Sequence, residues 1–222
     1  MRTSVFVATL ALGVSAAAAQ QHDPASHQKP DHMEHRFDDA ARWAREFDDP
    51  ARDAWQMPDR VIETLGLQAG QAVADIGAGT GYFSSRLART AAAPTVYAVD
   101  IEPSMVAYLR DRAAKEGLKN LVAVQAGPEG PNLPAPVDTV LIVDTFHHIP
   151  SRVAYFSRLK ASIKPGGTLA IVDFRKDAPS GPPPEFRFTA EEISAELARA
   201  GFVLASQHDF LPRQMLLLYH LK

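Results

Sequence analysis

The segment Val73-Ala74-Asp75-Ile76-Gly77-Ala78-Gly79-Thr80-Gly81-Tyr82-Phe83 sets a carboxylate two residues ahead of three alternating glycines. Glycine lacks Cβ, takes positive φ without penalty and lets a backbone approach a ligand closely. The spacing is G-x-G-x-G, whereas a dinucleotide turn wants G-x-G-x-x-G, and Tyr82 stands at the place of its last glycine. Asp75 also argues against a diphosphate, which its charge would repel, and suits an ammonium group instead. Nineteen residues after Gly81, the run Val96-Tyr97-Ala98-Val99 ends in Asp100, and an acid at that place can accept both hydroxyls of a ribose. Asp75, the glycines around Ala78, and Asp100 together specify an adenosine-bearing ligand with a cationic amino group.

A second constellation is Val143-Asp144-Thr145-Phe146-His147-His148-Ile149. Imidazole titrates near neutrality and can take a proton from an acceptor group. Two readings stand side by side: His148 accepts the proton while His147 orients a substrate, or the pair only caps its loop. Asp144 is a further catalytic candidate on the same stretch.

These residues need a frame, and the sequence after Gly70 supplies one. Gln71–Ile76, Thr95–Val99 and Leu121–Gln125 read as buried strands, separated by helices at Tyr82–Thr90 and Pro103–Lys115. Val137–Val143 is a fourth strand and Pro150–Ile163 a helix stopped by Lys164-Pro165-Gly166-Gly167, before a strand at Thr168–Phe174. Thr189-Ala190-Glu191-Glu192 is a capping box that opens a helix to Ala200, closed by Gly201. Phe202–Gln207 and Gln214–Leu221 form a closing antiparallel pair. Strand alternating with helix predicts an α/β, Rossmann-like, doubly wound and mostly parallel seven-stranded sheet with an antiparallel C-terminal strand. Ahead of it, helices from Phe37 to about Glu46 and from Pro58 to Leu65 form a short N-terminal helical cap.

The glycine-rich turn with its preceding acid, the acid ending the second strand, the Asp144-to-Ile149 segment and the Leu159-to-Gly167 segment fall in an order that resembles the class I S-adenosylmethionine-dependent methyltransferases. The resemblance covers roughly residues 55–221. It implies S-adenosyl-L-methionine as cofactor and the following roles. Asp75 contacts the methionyl ammonium, Gly77, Ala78, Gly79 and Gly81 form the turn against the methionyl and ribosyl groups, Asp100 holds the ribose diol and Ile101 packs on the adenine. Asp144 and Thr145 line the methionyl end. The family's acid after strand three is missing here, because Gly127 stands in Gln125-Ala126-Gly127-Pro128-Glu129. Glu129 is the substitute carboxylate. A cap carrying Phe37, Trp43, Phe47, Arg52, Trp55 and Gln56 is, by the same resemblance, an extension that closes over the pocket.

Composition removes other chemistries. The 222 residues contain no cysteine, which excludes disulfides, thiolate zinc sites, cysteine nucleophiles and cysteine-held clusters. With 23 Lys+Arg against 26 Asp+Glu the formal charge is −3, and no basic excess points to nucleic acid. A small molecule, a lipid- or quinone-like acceptor or a protein side chain remains, of which a small or lipophilic acceptor leads, with a non-catalytic nucleoside- or metal-binding relative of the fold as the alternative.

The first nineteen residues read as an address. Arg2, the apolar run Val5–Val14 and Ala17-Ala18-Ala19 make a secretory signal peptide, giving a periplasmic or secreted chain with no membrane span after cleavage. Anchoring by an uncleaved N-terminus is the alternative. Residues 20–35 form a linker rich in histidine (His22, His27, His32, His35), residues 36–69 the cap and residues 70–222 the cofactor-binding domain.

Overall fold

The computed structural model describes residues 31–33 and 36–222. The expected leader and, apart from Asp31, His32 and Met33, the histidine-rich linker lie outside the described residues.

Seven strands form one sheet: β1 (Ala72–Ile76), β2 (Thr95–Asp100), β3 (Leu121–Gln125), β4 (Val137–Val143), β5 (Ile163–Phe174), β6 (Phe202–His208) and β7 (Gln214–Leu221), in the order β3-β2-β1-β4-β5-β7-β6. All pairings are parallel except those of β7, which runs antiparallel to both β5 and β6. The expected doubly wound sheet with its antiparallel C-terminal strand is therefore present. From β1 the chain winds outward to β2 and β3, then crosses back to β4 and on to β5. The crevice at this reversal, outside the carboxyl ends of β1 and β4, is where open α/β sheets take ligands.

Four helices follow the strands: α4 (Tyr82–Ala88), α5 (Pro103–Lys115), α6 (Arg152–Leu159) and α7 (Ala190–Ala200); α1 (Ala40–Phe47), α2 (Asp53–Gln56) and α3 (Pro58–Thr64) precede them. Strands buried on both faces explain the continuous apolar runs in the sequence. In β1, Val73 faces a core with Leu87, Leu109 and Leu141, while Ala74 and Ile76 face the opposite core with Ile142, Phe156 and Leu197. This alternation leaves Asp75, buried and polar, on the same face as Val73 at the carboxyl end of the strand.

Helix ends follow local chemistry. Thr189 accepts the Glu192 amide while the Glu192 side chain accepts the Thr189 amide, the reciprocal cap expected from the sequence, and Gly201 ends α7 at φ 93°. The first cap helix starts later than the sequence pattern suggests. Asp39 is its N-cap, accepting the Arg42 amide at 3.0 Å, so Asp38 and Asp39 precede the first turn. A 3-10 turn at Pro50–Arg52 and the single-turn α2 were not legible, since four residues carry no periodicity. The Pro-Gly-Gly segment is also corrected. Strand β5 begins at Ile163, not Thr168, and the register against β4 shifts between Val137 and Thr139. The turn-forming residues are accommodated as an irregularity within the strand.

Candidate active site

The glycine turn joins β1 to α4, and its conformation rests on positive φ at Gly77 (77°), Gly79 (55°) and Gly81 (89°). Its amides point inward: Gly77 and Ala78 both donate to the Val99 carbonyl, at 2.8 and 3.0 Å, and Gly81 donates to the Ala78 carbonyl at 2.9 Å. The glycines thus shape the turn and let neighbours approach it. Thr145 packs against Gly77, and the Phe47 ring lies 3.2 Å from where a Cβ on Gly79 would sit.

Asp75 and Asp144 flank the crevice. Asp75 is buried and accepts the Ser84 hydroxyl at 2.6 Å. Burial lifts its pKa to about 6, with the Asp100 charge adding to the shift and Ser84 and Arg52 opposing it. Asp144 follows β4 with φ 52°, an uncommon conformation for a residue with a side chain. It accepts the Gln56 amide at 2.8 Å and the Gln214 amide, and its Oδ2 lies 3.7 Å from Arg52. Burial lifts Asp144 to about 6 as well, against the opposing charge of Arg52. Asp100 ends β2 and accepts the Gly79 amide at 2.8 Å on one oxygen and the Glu102 amide at 2.9 Å on the other. Each carboxylate oxygen can accept more than one bond, so capacity for a diol remains on both. Burial pushes the Asp100 pKa up, with these amide bonds pulling against it.

Beside Asp100, Ile101 is 58% exposed, an apolar shelf next to a buried acid. Glu129, by contrast, has a side chain 80% exposed and paired with Arg158 at 3.3 Å. The structure engages it in a surface ion pair, and gives no geometric support to its role as substitute carboxylate for the adenine.

The two histidines are separated by function of place. His147 is buried and its Nδ1 lies 3.0 Å from both oxygens of Asp173. Burial works against the charged ring, but the Asp173 carboxylate outweighs it and the pKa is raised overall. This ion pair stabilises the fold at pH values below the ordinary histidine range, and that contribution fades as pH climbs through the raised value. His148 is half-buried, donates from Nδ1 to the Met33 carbonyl at 2.8 Å and meets the Phe37 ring edge-on at 5.6 Å. The rings of Phe37, Trp43 and Phe47 are mutually packed, linking the glycine turn to His148. Thr145 donates its hydroxyl to the Val143 carbonyl at 2.8 Å.

Three contributors escaped the sequence reading: Ser84 and Gln214 as partners of Asp75 and Asp144, and Asp173 behind His147; Gln56 was read only as part of the cap, not as a partner of Asp144. Asp173 carried a signal, because an acid interrupts the apolar run Leu169–Phe174 at a parallel strand's carboxyl end. Gln214, which opens β7, is fully buried and donates its amide to Asp144.

The residues fit the implied cofactor on their donor chemistry. Two carboxylates with raised pKa values, the buried Asp75 and the partly buried Asp144, call for a cation, Asp100 can receive a diol, and an exposed isoleucine offers a face for a planar base. Among the described residues no group of three or more His, Asp or Glu side chains is placed to hold a metal ion.

A pH dependence follows. Below about 6 the ionised forms of Asp75 and Asp144 are depleted, so affinity for an ammonium- and sulfonium-bearing ligand is expected to fall about tenfold per carboxylate between pH 7 and pH 5. The sign for the ligand-free fold is opposite. Between the ordinary carboxylate range and about 6 the native state binds more protons than the unfolded one, so these two groups add stability as pH drops. Calorimetric titration with S-adenosylmethionine at both pH values checks the first statement; equal affinities contradict it.

Comparison with known proteins agrees with this geometry. A family profile described as a methyltransferase domain matches residues 73–167. An uncharacterized methyltransferase of Geobacillus kaustophilus is 30% identical over 182 residues, covering 74% of this chain and 80% of that protein. Another, from Mycobacterium tuberculosis, is 35% identical over 116 residues, 52% of this chain. The matched stretch of this chain spans 57% of that mycobacterial relative's length. The crystal structure of a SAM-dependent methyltransferase from Aquifex aeolicus superimposes with a TM-score of 0.76 at 28% identity, over 83% of this chain and 99% of that one. By its sheet order, its acid-flanked glycine turn and these relatives, the chain belongs to the S-adenosylmethionine-dependent methyltransferase family.

Proposed function

We propose that the protein is an exported methyltransferase that moves a methyl group from S-adenosyl-L-methionine to a small or lipophilic acceptor. The observation that carries the reading is the pair of buried carboxylates, Asp75 and Asp100, at the carboxyl ends of β1 and β2, with the partly buried Asp144 across the switch point of the sheet. The bound cofactor supplies an electrophilic sulfonium methyl. Asp75 holds the ammonium, Asp100 the ribose hydroxyls, and Ile101 supports the base. Methyl transfer needs alignment more than covalent help, and the cap, with Phe37, Trp43 and Phe47 packed together, sets the Phe47 ring over the turn. These rings, together with the absence of a basic excess, favour an apolar acceptor.

His148 takes the acceptor's proton where the nucleophile is protonated. Its Nδ1–H is donated to the Met33 carbonyl, which orients the ring on its loop. His147, bound to Asp173, packs at 4.3 Å between ring centroids and holds the loop. Replacing His148 by glutamine is expected to slow transfer about 100-fold or more with cofactor affinity changed less than about threefold. A single-turnover rate equal to the wild type would remove the base from the account.

Export rests on residues 1–19 alone. No helix among the described residues is long and apolar enough to cross a membrane. Incubating the full chain with methyl-tritiated S-adenosylmethionine and an organic extract of the producing cell envelope is expected to move label into an extractable small product. Label confined to the cofactor would contradict the acceptor class.

A further inference from the structure

An amino-acid group is a zwitterion, and Asp75 accounts for only one of its ends. The α-carboxylate needs a cation close to Asp75 that is not already committed to an acid. Around the glycine turn the guanidiniums of Arg86 and Arg112 are committed: Arg86 bonds Asp53 at 2.9 Å, and Arg112 bonds Asp48 at 2.8 Å and Glu116 at 2.9 Å.

Arg52 is different. It ends the 3-10 turn of the cap, its side chain is 16% exposed, and its guanidinium lies 4.2 Å over the ring of Tyr82, the residue after Gly81. Its recorded hydrogen bonds all go to neutral acceptors. Nε donates to the Gln56 Oε1 at 2.8 Å, Nη2 to the same oxygen, and Nη1 to the Phe47 carbonyl. Guanidinium has five donors, so two remain after these three bonds. The nearest carboxylate, Asp144, stays at 3.7 Å with its oxygens bonded to the Gln56 and Gln214 amides. The same guanidinium is near enough to act on the charges of both Asp75 and Asp144. A mostly buried arginine with spare donors, whose one acidic neighbour is an ion pair at 3.7 Å without a hydrogen bond, is a prepared anion receptor, because planar guanidinium matches carboxylate in bidentate geometry.

We propose that Arg52 anchors the α-carboxylate of the cofactor's methionyl group while Asp75 takes its ammonium, so that the cap supplies part of the cofactor site. The proposal rests on the methyltransferase reading and goes beyond it in assigning a binding role to a residue outside the glycine-turn domain. Cap and cofactor are then coupled. The Phe47 carbonyl that Arg52 holds belongs to the helix whose ring lies on Gly79, so filling the carboxylate site fixes α1 over the turn.

Calorimetry on the full chain tests this with three ligands: S-adenosylhomocysteine, its methyl ester, and 5′-deoxy-5′-methylthioadenosine, which lacks the amino-acid group. Arg52→Gln is expected to weaken S-adenosylhomocysteine about tenfold or more and to leave methylthioadenosine within about twofold, with Arg52→Lys intermediate. The wild type should prefer the acid to its ester, and Arg52→Gln should lose that preference. Equal weakening of both acid and methylthioadenosine would show a merely structural arginine and overturn the proposal. A wild type that binds ester and acid alike overturns it without any variant. Failure of the wild type to bind any of the three would instead overturn the cofactor reading itself.

Discussion

Asp100→Ala is expected to weaken S-adenosylhomocysteine binding by at least about 100-fold. The carboxylate does two things at once. It accepts the amides of Gly79 and Glu102, which ties the glycine turn to the start of α5, and its remaining capacity receives the ribose diol. Hydrogen bonds to a charged group contribute about 1.5–3 kcal/mol each, and two lost to the ligand correspond to roughly 100-fold or more. Alanine also leaves two backbone donors without an acceptor in a mostly buried place. Asp100→Asn separates the two effects: it keeps one acceptor for the turn, and is expected to bind more weakly than wild type but more tightly than alanine. Calorimetric affinity within about threefold of wild type in Asp100→Ala would remove the diol assignment.

Gly77→Ala is expected to destabilise the fold by about 2–5 kcal/mol. Gly77 sits at φ 77°, which costs an L-residue about 1–2 kcal/mol. The added Cβ would also lie 2.6 Å from Thr145 Cγ2 and 2.9 Å from its Cβ, and overpacking of this kind costs about 1–3 kcal/mol. For a domain of this size the Tm should drop on the order of 10 °C. Adding Thr145→Ala should recover the steric part and leave the backbone part. A single variant whose Tm stays within about 2 °C of wild type would show that the turn yields without strain.

The sheet was legible because its strands are buried on both faces and read as apolar runs punctuated by Gly and Pro. The anchor residues Asp75 and Asp100 were legible for a related reason: an acid ending such a run has no place in a core unless a ligand or a backbone amide needs it. Structure added the second reason for Asp100, whose oxygens already hold two amides. Residues that act across the chain were not legible. Gln56 and Gln214 meet at Asp144 from positions 88 and 70 residues away, and nothing in local spacing predicts that. Arg52 was visible only as one charged residue of an aromatic-rich cap, because its neutral partners and its place over Tyr82 are tertiary facts. Lys164-Pro165-Gly166-Gly167 misled in the opposite way: its turn chemistry is real, yet the pairing of Ile163 with Val137 of β4 carries the strand past it.

The Asp144 environment links these observations. A carboxylate at φ 52°, lifted to about 6 by burial and held by two amides and a nearby guanidinium, is a costly arrangement. A cationic ligand relieves that cost, which is why cofactor affinity, cap position and pH are expected to move together.

The most direct measurement is a crystal structure of the chain with S-adenosylhomocysteine. The account predicts the ribose hydroxyls on Asp100, the base over Ile101, and the amino-acid group between Asp75 and the cap at the carboxyl ends of β1 and β4. A ligand seated elsewhere, or one whose ribose does not touch Asp100, would contradict it.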